Sequence, residues 1–127
     1  MKNLYSPNVN SSTIDDLESG TLVPQKVWPV AIAGSGIVKR GTLLARDSGD
    51  TEYRPFTDGD EIKAVLLLDV DADDPDESEG PAAFSGEFNQ NRIEEVMGFD
   101  LDPEAILDAA EGKKLYIAPM NPAPETF

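Results

Sequence analysis

The sequence predicts a small, mainly β domain, on three observations. Ten glycines and ten prolines are spread through 127 residues, which favours many short strands joined by turns over long helices. Turn signals such as "KRG", "DSGD" and "TDGDE" punctuate the stretch from Val38 to Glu61, with the short spacing of a compact antiparallel β protein. The apolar runs are of strand length, the longest being "AVLLL" and "VWPVAIA", far short of the ~20 residues that carry a helix across a bilayer. The length suits one domain with a modest core.

Residues 1–26 read as a flexible N-terminal arm. The first twenty are rich in Asn, Ser, Asp and Gly with few apolar anchors, too few to fix a chain against a core. "MKNLYSPNVNSS" lacks the apolar stretch of a secretory signal. The β-rich domain is expected over residues 27–120. It opens with "VWPVAIAG", where Pro24 just upstream and Pro29 within the run place the segment on a sheet edge or against another chain, because neither can donate to a ladder. Ile37–Val38, Thr42–Ala45 and Tyr53–Phe56 follow as short strands between turns. Lys63 to Val70 is a continuous apolar run, predicted to be one core strand covered on both faces. "AAFSGEF" alternates, so Phe84, Gly86 and Phe88 are expected on one face of one strand, with both aromatics anchoring it to the core.

"DPEAILDAAEGKK" is the clear helix. Asp102 is a good N-cap, Pro103 suits the first helical position, and Glu104 lies near the positive end of the dipole. Gly112 is the expected left-handed cap. "RIEEVM" reads as a turn of helix, "KLYIAP" as a last strand, and residues 121–127 as a loose, Pro-rich tail.

Charge excludes several functions. The formal net charge of −15 is opposite to what a nucleic-acid binder or an anionic-membrane binder needs. Residues 1–60 carry six basic and eight acidic side chains, residues 61–127 four and seventeen. Such asymmetry suggests two unlike faces, one docking and one facing water. With no cysteine and no histidine, disulfides, thiolate metal sites and histidine general bases are all ruled out.

Seven carboxylates stand among the eleven residues from Asp69 to Glu79. Counted as an EF-hand loop from Asp69, positions 1, 3, 5 and 9 carry oxygen ligands. Position 6 is Asp74 where a glycine is needed, and position 12 is Gly80 where a bidentate glutamate is needed. The preferred reading is a solvated connection between two core strands, kept extended by charge repulsion. "GSGIVKRGT" fits neither the dinucleotide fingerprint, because its sixth position is Lys39, nor the P-loop, which lacks its lysine. Ser35, Ser48, Ser78 and Ser85 have no histidine to activate them. No enzyme, cofactor or metal is expected. Trp28 reads equally as a partner-binding anchor and as a core residue capping a barrel end.

Four elements in order, Arg40-Gly41-Thr42, Tyr53 with Pro55, Ala64 to Asp71 and Gly86 to Asn89, make the chain resemble the head decoration proteins of tailed bacteriophages. The resemblance spans roughly residues 30–95, with the helix and "LYIA" as its close. It implies a β-clip-like or barrel-like domain with one short C-terminal helix and a flexible arm. It also implies a homotrimer at threefold positions on the exterior of the expanded head, made in the bacterial host cytoplasm and carried on the virion. The partner implied is the phage major capsid protein, met by an arm that orders on it. Leu22, Val23, Val27 and Trp28 are the expected capsid-contact residues, laid along capsid strands by β-augmentation. Removing residues 1–26 should then abolish capsid binding and leave the domain folded. The acidic island and acidic C-terminal half depart from the family pattern, since three copies of charge −15 must share one cluster. The alternative is a small acidic binding module, calcium-loaded or mimicking nucleic acid.

Overall fold

The computed structural model describes residues 16–20 and 22–119. Their order is β1 (Glu18–Gly20), β2 (Val27–Ala31), β3 (Ile37–Val38), β4 (Leu43–Ala45), β5 (Arg54–Pro55), β6 (Ala64–Leu66), β7 (Val70–Asp71), β8 (Glu79–Ala83), β9 (Gly86–Asn89), α1 (Gln90–Met97), α2 (Pro103–Lys113) and β10 (Leu115–Ala118). The protein is mainly β, as its turn-rich sequence predicts.

Five strands form an antiparallel sheet in the order β2-β8-β6-β4-β5. A parallel bridge from Ile32 to Tyr53 joins the two ends of that order. The Tyr53 N–H donates to the Ala31 carbonyl at 2.8 Å and the Ala33 N–H to the Tyr53 carbonyl at 2.7 Å. The sheet therefore closes into a small ring, which removes most of its free edge. β3 and β7 form a separate two-stranded pair, and β1-β9-β10 a three-stranded sheet in which β10 runs parallel to β9.

Strand alternation splits the core in two. Leu44, Ala64, Leu66 and Ala82 point into one cluster with Val30, Ile32, Val38 and Val70. Their neighbours Leu43, Ala45, Val65 and Ala83 point into the other, beneath the helices and the second sheet. A sheet covered on both faces needs apolar side chains at consecutive positions, which is why "AVLL" is unbroken.

Three expectations about the strands and the arm are corrected. The run from Lys63 to Val70 is two strands in different sheets, β6 and β7, with Leu68 between them exposed. The cause lies on β8. Leu66 faces Ala82, so Leu67 faces Pro81, and the Leu67 N–H donates to the Pro81 carbonyl at 2.9 Å. Pro81 has no N–H to return. The Arg40 guanidinium donates to the Leu67 carbonyl in its place, and the Arg40 N–H donates to Asp69 Oδ1 at 2.8 Å. The ladder ends there and the chain turns. Replacing Arg40 by Met should strand the Leu67 carbonyl and cost about 1–3 kcal/mol. Urea denaturation checks this, and a variant as stable as the parent would refute the substitute-donor role.

The stretch "AAFSGEF" is likewise two strands. β8 ends at Ala83 and β9 begins at Gly86 in the other sheet. The Ser85 hydroxyl accepts from the Lys26 N–H at 3.0 Å and donates to the Pro24 carbonyl at 2.8 Å. Gly86 takes φ 136°, a conformation that favours glycine. Phe88 is consequently buried in the helix-covered core, while Phe84 is half-buried against the ring cluster.

The third correction concerns the arm. Leu17 is 1% exposed and joins the helix-covered core. β1 pairs antiparallel with β9, and Asn89 donates from its N–H to the Leu17 carbonyl at 2.7 Å and from Nδ2 to the Asp16 carbonyl at 3.1 Å. Residues 16–20 thus belong to the domain, and so does the Pro24–Lys26 segment held by Ser85. Residues 1–15 and the tail at 121–127 lie outside the described residues.

The helices follow their caps. α1 is a full helix where a single turn was expected. Asn89 Oδ1 accepts from the Asn91 N–H at 3.0 Å, Ile93 is buried beneath it, and Gly98 closes it at φ 87°. α2 starts at the Asp102 cap as predicted but runs through Gly112, and Lys114 takes the left-handed position at φ 56°. The extra residues deliver Leu115, fully buried, to its place opposite Gly86, whose N–H donates to the Lys114 carbonyl at 3.1 Å. Among the described residues no helix is long and apolar enough to cross a membrane.

Candidate docking surface

The acidic island folds into turns instead of extending. Asp71 Oδ1 accepts from the Asp73 N–H at 3.0 Å and Asp74 Oδ1 from the Asp76 N–H at 2.9 Å, two Asx turns in succession. Asp73 Oδ2 accepts from the Gly36 N–H at 2.9 Å, and the Ala72 N–H returns to the Gly36 carbonyl at the same distance. Three of the island's seven carboxylates therefore cap its own backbone or the Gly34–Gly36 turn, where the partial charges of the N–H groups offset repulsion. Among the described residues no three metal-ligating side chains converge where an ion could sit. The "GSG" stretch leads into β3, not into a helix.

Of the four residues expected at a partner contact, Val27 and Trp28 open β2, and Leu22 and Val23 precede it in the chain. Leu22 is 91% exposed, Trp28 70% and Val27 43%. Val23 is half-buried, its N–H donating to Glu87 Oε2 at 2.9 Å. Trp28 is thus a surface residue, which resolves its two readings in favour of exposure. It lies on the edge strand that Pro24 and Pro29 demanded. Trp28 and Val30 face β8 in ladder register with Ala82 and Gly80, and Phe84 donates its N–H to the Lys26 carbonyl. By alternation the backbone groups of Val27 and Pro29 point away from β8. Pro29 offers only a carbonyl, and Tyr53 already occupies Ala31. Strand addition at this edge is therefore limited to Val27 and the Pro29 carbonyl.

What the sequence did not reveal is the groove beside that edge. Tyr53 and Phe84 meet edge to face, 5.8 Å between centroids at 79°. With Lys26, Val27 and Trp28 they line an apolar depression of about 460 Å³. A second depression of about 450 Å³ adjoins it, sharing Lys26 and Phe84 and continuing past Pro24 to Lys114. The Arg46 guanidinium lies 5.1 Å over the Tyr53 ring, a cation–π contact. Tyr53 and Phe84 are 31 residues apart, so no local pattern marks them as one surface.

The groove and the island stand at opposite ends of one ladder. β2 and β8 pair from Val27↔Ala83 beside the groove to Ala31↔Glu79 at the island, about 13 Å of strand.

A second cluster is architectural. Arg54 donates to Asp47 at 2.7 Å and to both oxygens of Asp60 at 2.6 and 3.0 Å, and Thr57 donates to Asp60 from its N–H and its hydroxyl, each at 2.9 Å. The Arg54 hydrogen bonds hold the Asp60 and Asp47 carboxyls below the usual carboxylate range, and the two carboxylates raise Arg54 further above its own. Lys113, then Lys63, likewise depress Glu61, tying this loop to the end of α2. A carboxyl whose folded pKa is lowered contributes stability above its unfolded value of about 3.9 and loses it as pH falls through the folded value. Arg54→Met should therefore lower Tm by a few degrees at pH 7, and the difference should shrink as pH falls below the ordinary carboxylate range and through the lowered values. A difference that persists undiminished at low pH would assign the effect to packing.

No family model and no curated protein matches the chain.

Proposed function

We propose that this protein is a structural decoration protein of a tailed-phage head, binding the exterior of the expanded shell as a homotrimer at threefold positions and stabilising it without catalysis. The observation that carries the reading is the two-faced barrel. An exposed aromatic surface around Trp28 lies at one end of the β2–β8 ladder and a solvated acidic loop at the other. The ordered elements Arg40–Thr42, Tyr53–Pro55, Ala64–Asp71 and Gly86–Asn89 support it through their resemblance to that family.

The mechanism is mass action on one state of the shell. Sites hidden in the compact precursor open on expansion, and a ligand bound only there stabilises the expanded form by RT ln(1 + [L]/Kd), about 2.7 kcal/mol per site at a hundredfold excess over Kd. The docking face presents Leu22, Val27 and Trp28 to the major capsid protein, with Val23 holding the Leu22 bend to Glu87. The island faces outward, where charge is screened within about 8 Å at physiological ionic strength.

Co-sedimentation with expanded and unexpanded shells assembled without this protein tests the proposal. The expected result is saturable pelleting with expanded shells only, in multiples of three per threefold site. Absence of pelleting with either form would refute it. A variant with Asp71, Asp73, Asp74 and Asp76 all replaced by Asn should pellet like the parent, because the amide oxygen still accepts the turn hydrogen bonds and the loop makes no shell contact. Weakened pelleting of that variant would place the island at the interface instead.

A further inference from the structure

Four cationic side chains enter no ion pair among the described residues: Lys26, Lys39, Arg46 and Lys114. Three of the four border the Trp28 groove. Lys26 lines both depressions, Lys114 lines the second, and Arg46 lies over the ring of Tyr53, which lines the first. This is against expectation for a chain with twenty-five acidic and ten basic residues, in which a cation has many carboxylates to pair with. Three of the four unpaired cations thus stand beside apolar surface.

From this juxtaposition we infer that the groove is a seat for an extended partner segment in which an aromatic or large aliphatic side chain is flanked by carboxylates. The apolar side chain fills the space between Trp28, Tyr53 and Phe84, a desolvated pocket of the kind that carries most binding energy. The flanking carboxylates meet Lys26, Arg46 and Lys114, which set orientation and speed encounter. Val27 adds the one backbone pair that the edge still offers. A polyphosphate ligand is not favoured, because so small a positive rim belongs to a chain of net charge −15, and a basic segment would meet the unpaired cations themselves. On the decoration reading this segment belongs to the major capsid protein. That identity rests on the proposed function, whereas the groove's chemistry does not.

Selection of linear twelve-residue peptides from a random library on the immobilised full chain tests the chemistry without shells. The expected consensus is an aromatic or large aliphatic residue bracketed by Asp or Glu. Binding of a consensus peptide, read by the emission of Trp28, the sole tryptophan, should weaken at least tenfold in a Lys26→Glu/Arg46→Glu variant and fall with added salt. A Trp28→Ala chain with unchanged Tm should lose binding when read by calorimetry. No enrichment, a basic or charge-indifferent consensus, or binding unchanged in both variants would overturn the inference. Concentration-dependent self-association abolished by Trp28→Ala would also overturn it, by filling the groove with a second copy. Enrichment as expected, with no pelleting on expanded shells, would leave the groove assignment standing and remove the decoration reading.

Discussion

A chain lacking residues 1–26 is expected to lose its cooperative thermal transition, whereas one lacking residues 1–14 keeps it. The longer deletion removes Leu17 from the helix-covered core, β1 from the edge of β9, and the Pro24–Lys26 segment clasped by Ser85. Loss of a buried leucine alone costs about 2–5 kcal/mol, against a total of about 5–15 kcal/mol for a domain. It also leaves the Asn89 N–H and side-chain amide without the Leu17 and Asp16 carbonyls. The shorter deletion leaves every described contact in place. Circular dichroism melts of the two truncations and of Leu17→Ala, expected about 2–5 kcal/mol less stable, check this. If the 1–26 deletion melts like the parent, β1 is not part of the domain. The result also bears on function, since loss of shell binding after the longer deletion would report unfolding and not removal of a contact.

Replacing Phe88 by Ala is expected to cost about 3–5 kcal/mol, and replacing Phe84 only about 1–2. The two aromatics stand two residues apart but serve different surfaces. Phe88 is fully buried with Leu17, Ile93 and Leu115, so its removal opens a cavity between the second sheet and the helices. Phe84 is half-buried with an edge-to-face contact to Tyr53 and open space on its other side. Guanidinium denaturation separates them. Equal losses would mean that both sit in one core, as a single strand "AAFSGEF" would require. Phe84→Ala should impair peptide binding in the groove more than it impairs stability, and Phe88→Ala the reverse.

The sequence by itself determined the β character of the chain, through glycine and proline turns, and the edge position of β2, through prolines that cannot donate. It determined the start of α2 at Asp102 and the double burial of "AVLL". Each of these is decided within a few residues, by backbone sterics, capping or strand alternation. Only the tertiary structure decided the rest. Arg40 serves Leu67 across 27 residues and Asn89 serves Asp16 across 73. Closure of the ring through Ile32 and Tyr53 and the crossing between sheets at Phe84–Ser85 depend on partners of the same kind. So does the placing of Lys26, Arg46 and Lys114 beside the Tyr53–Phe84 surface. Local propensity says that a segment is extended, but not which ladder satisfies its N–H and carbonyl groups. That choice is made where the last unpaired backbone groups are buried, and in this chain the same choice leaves one aromatic edge exposed.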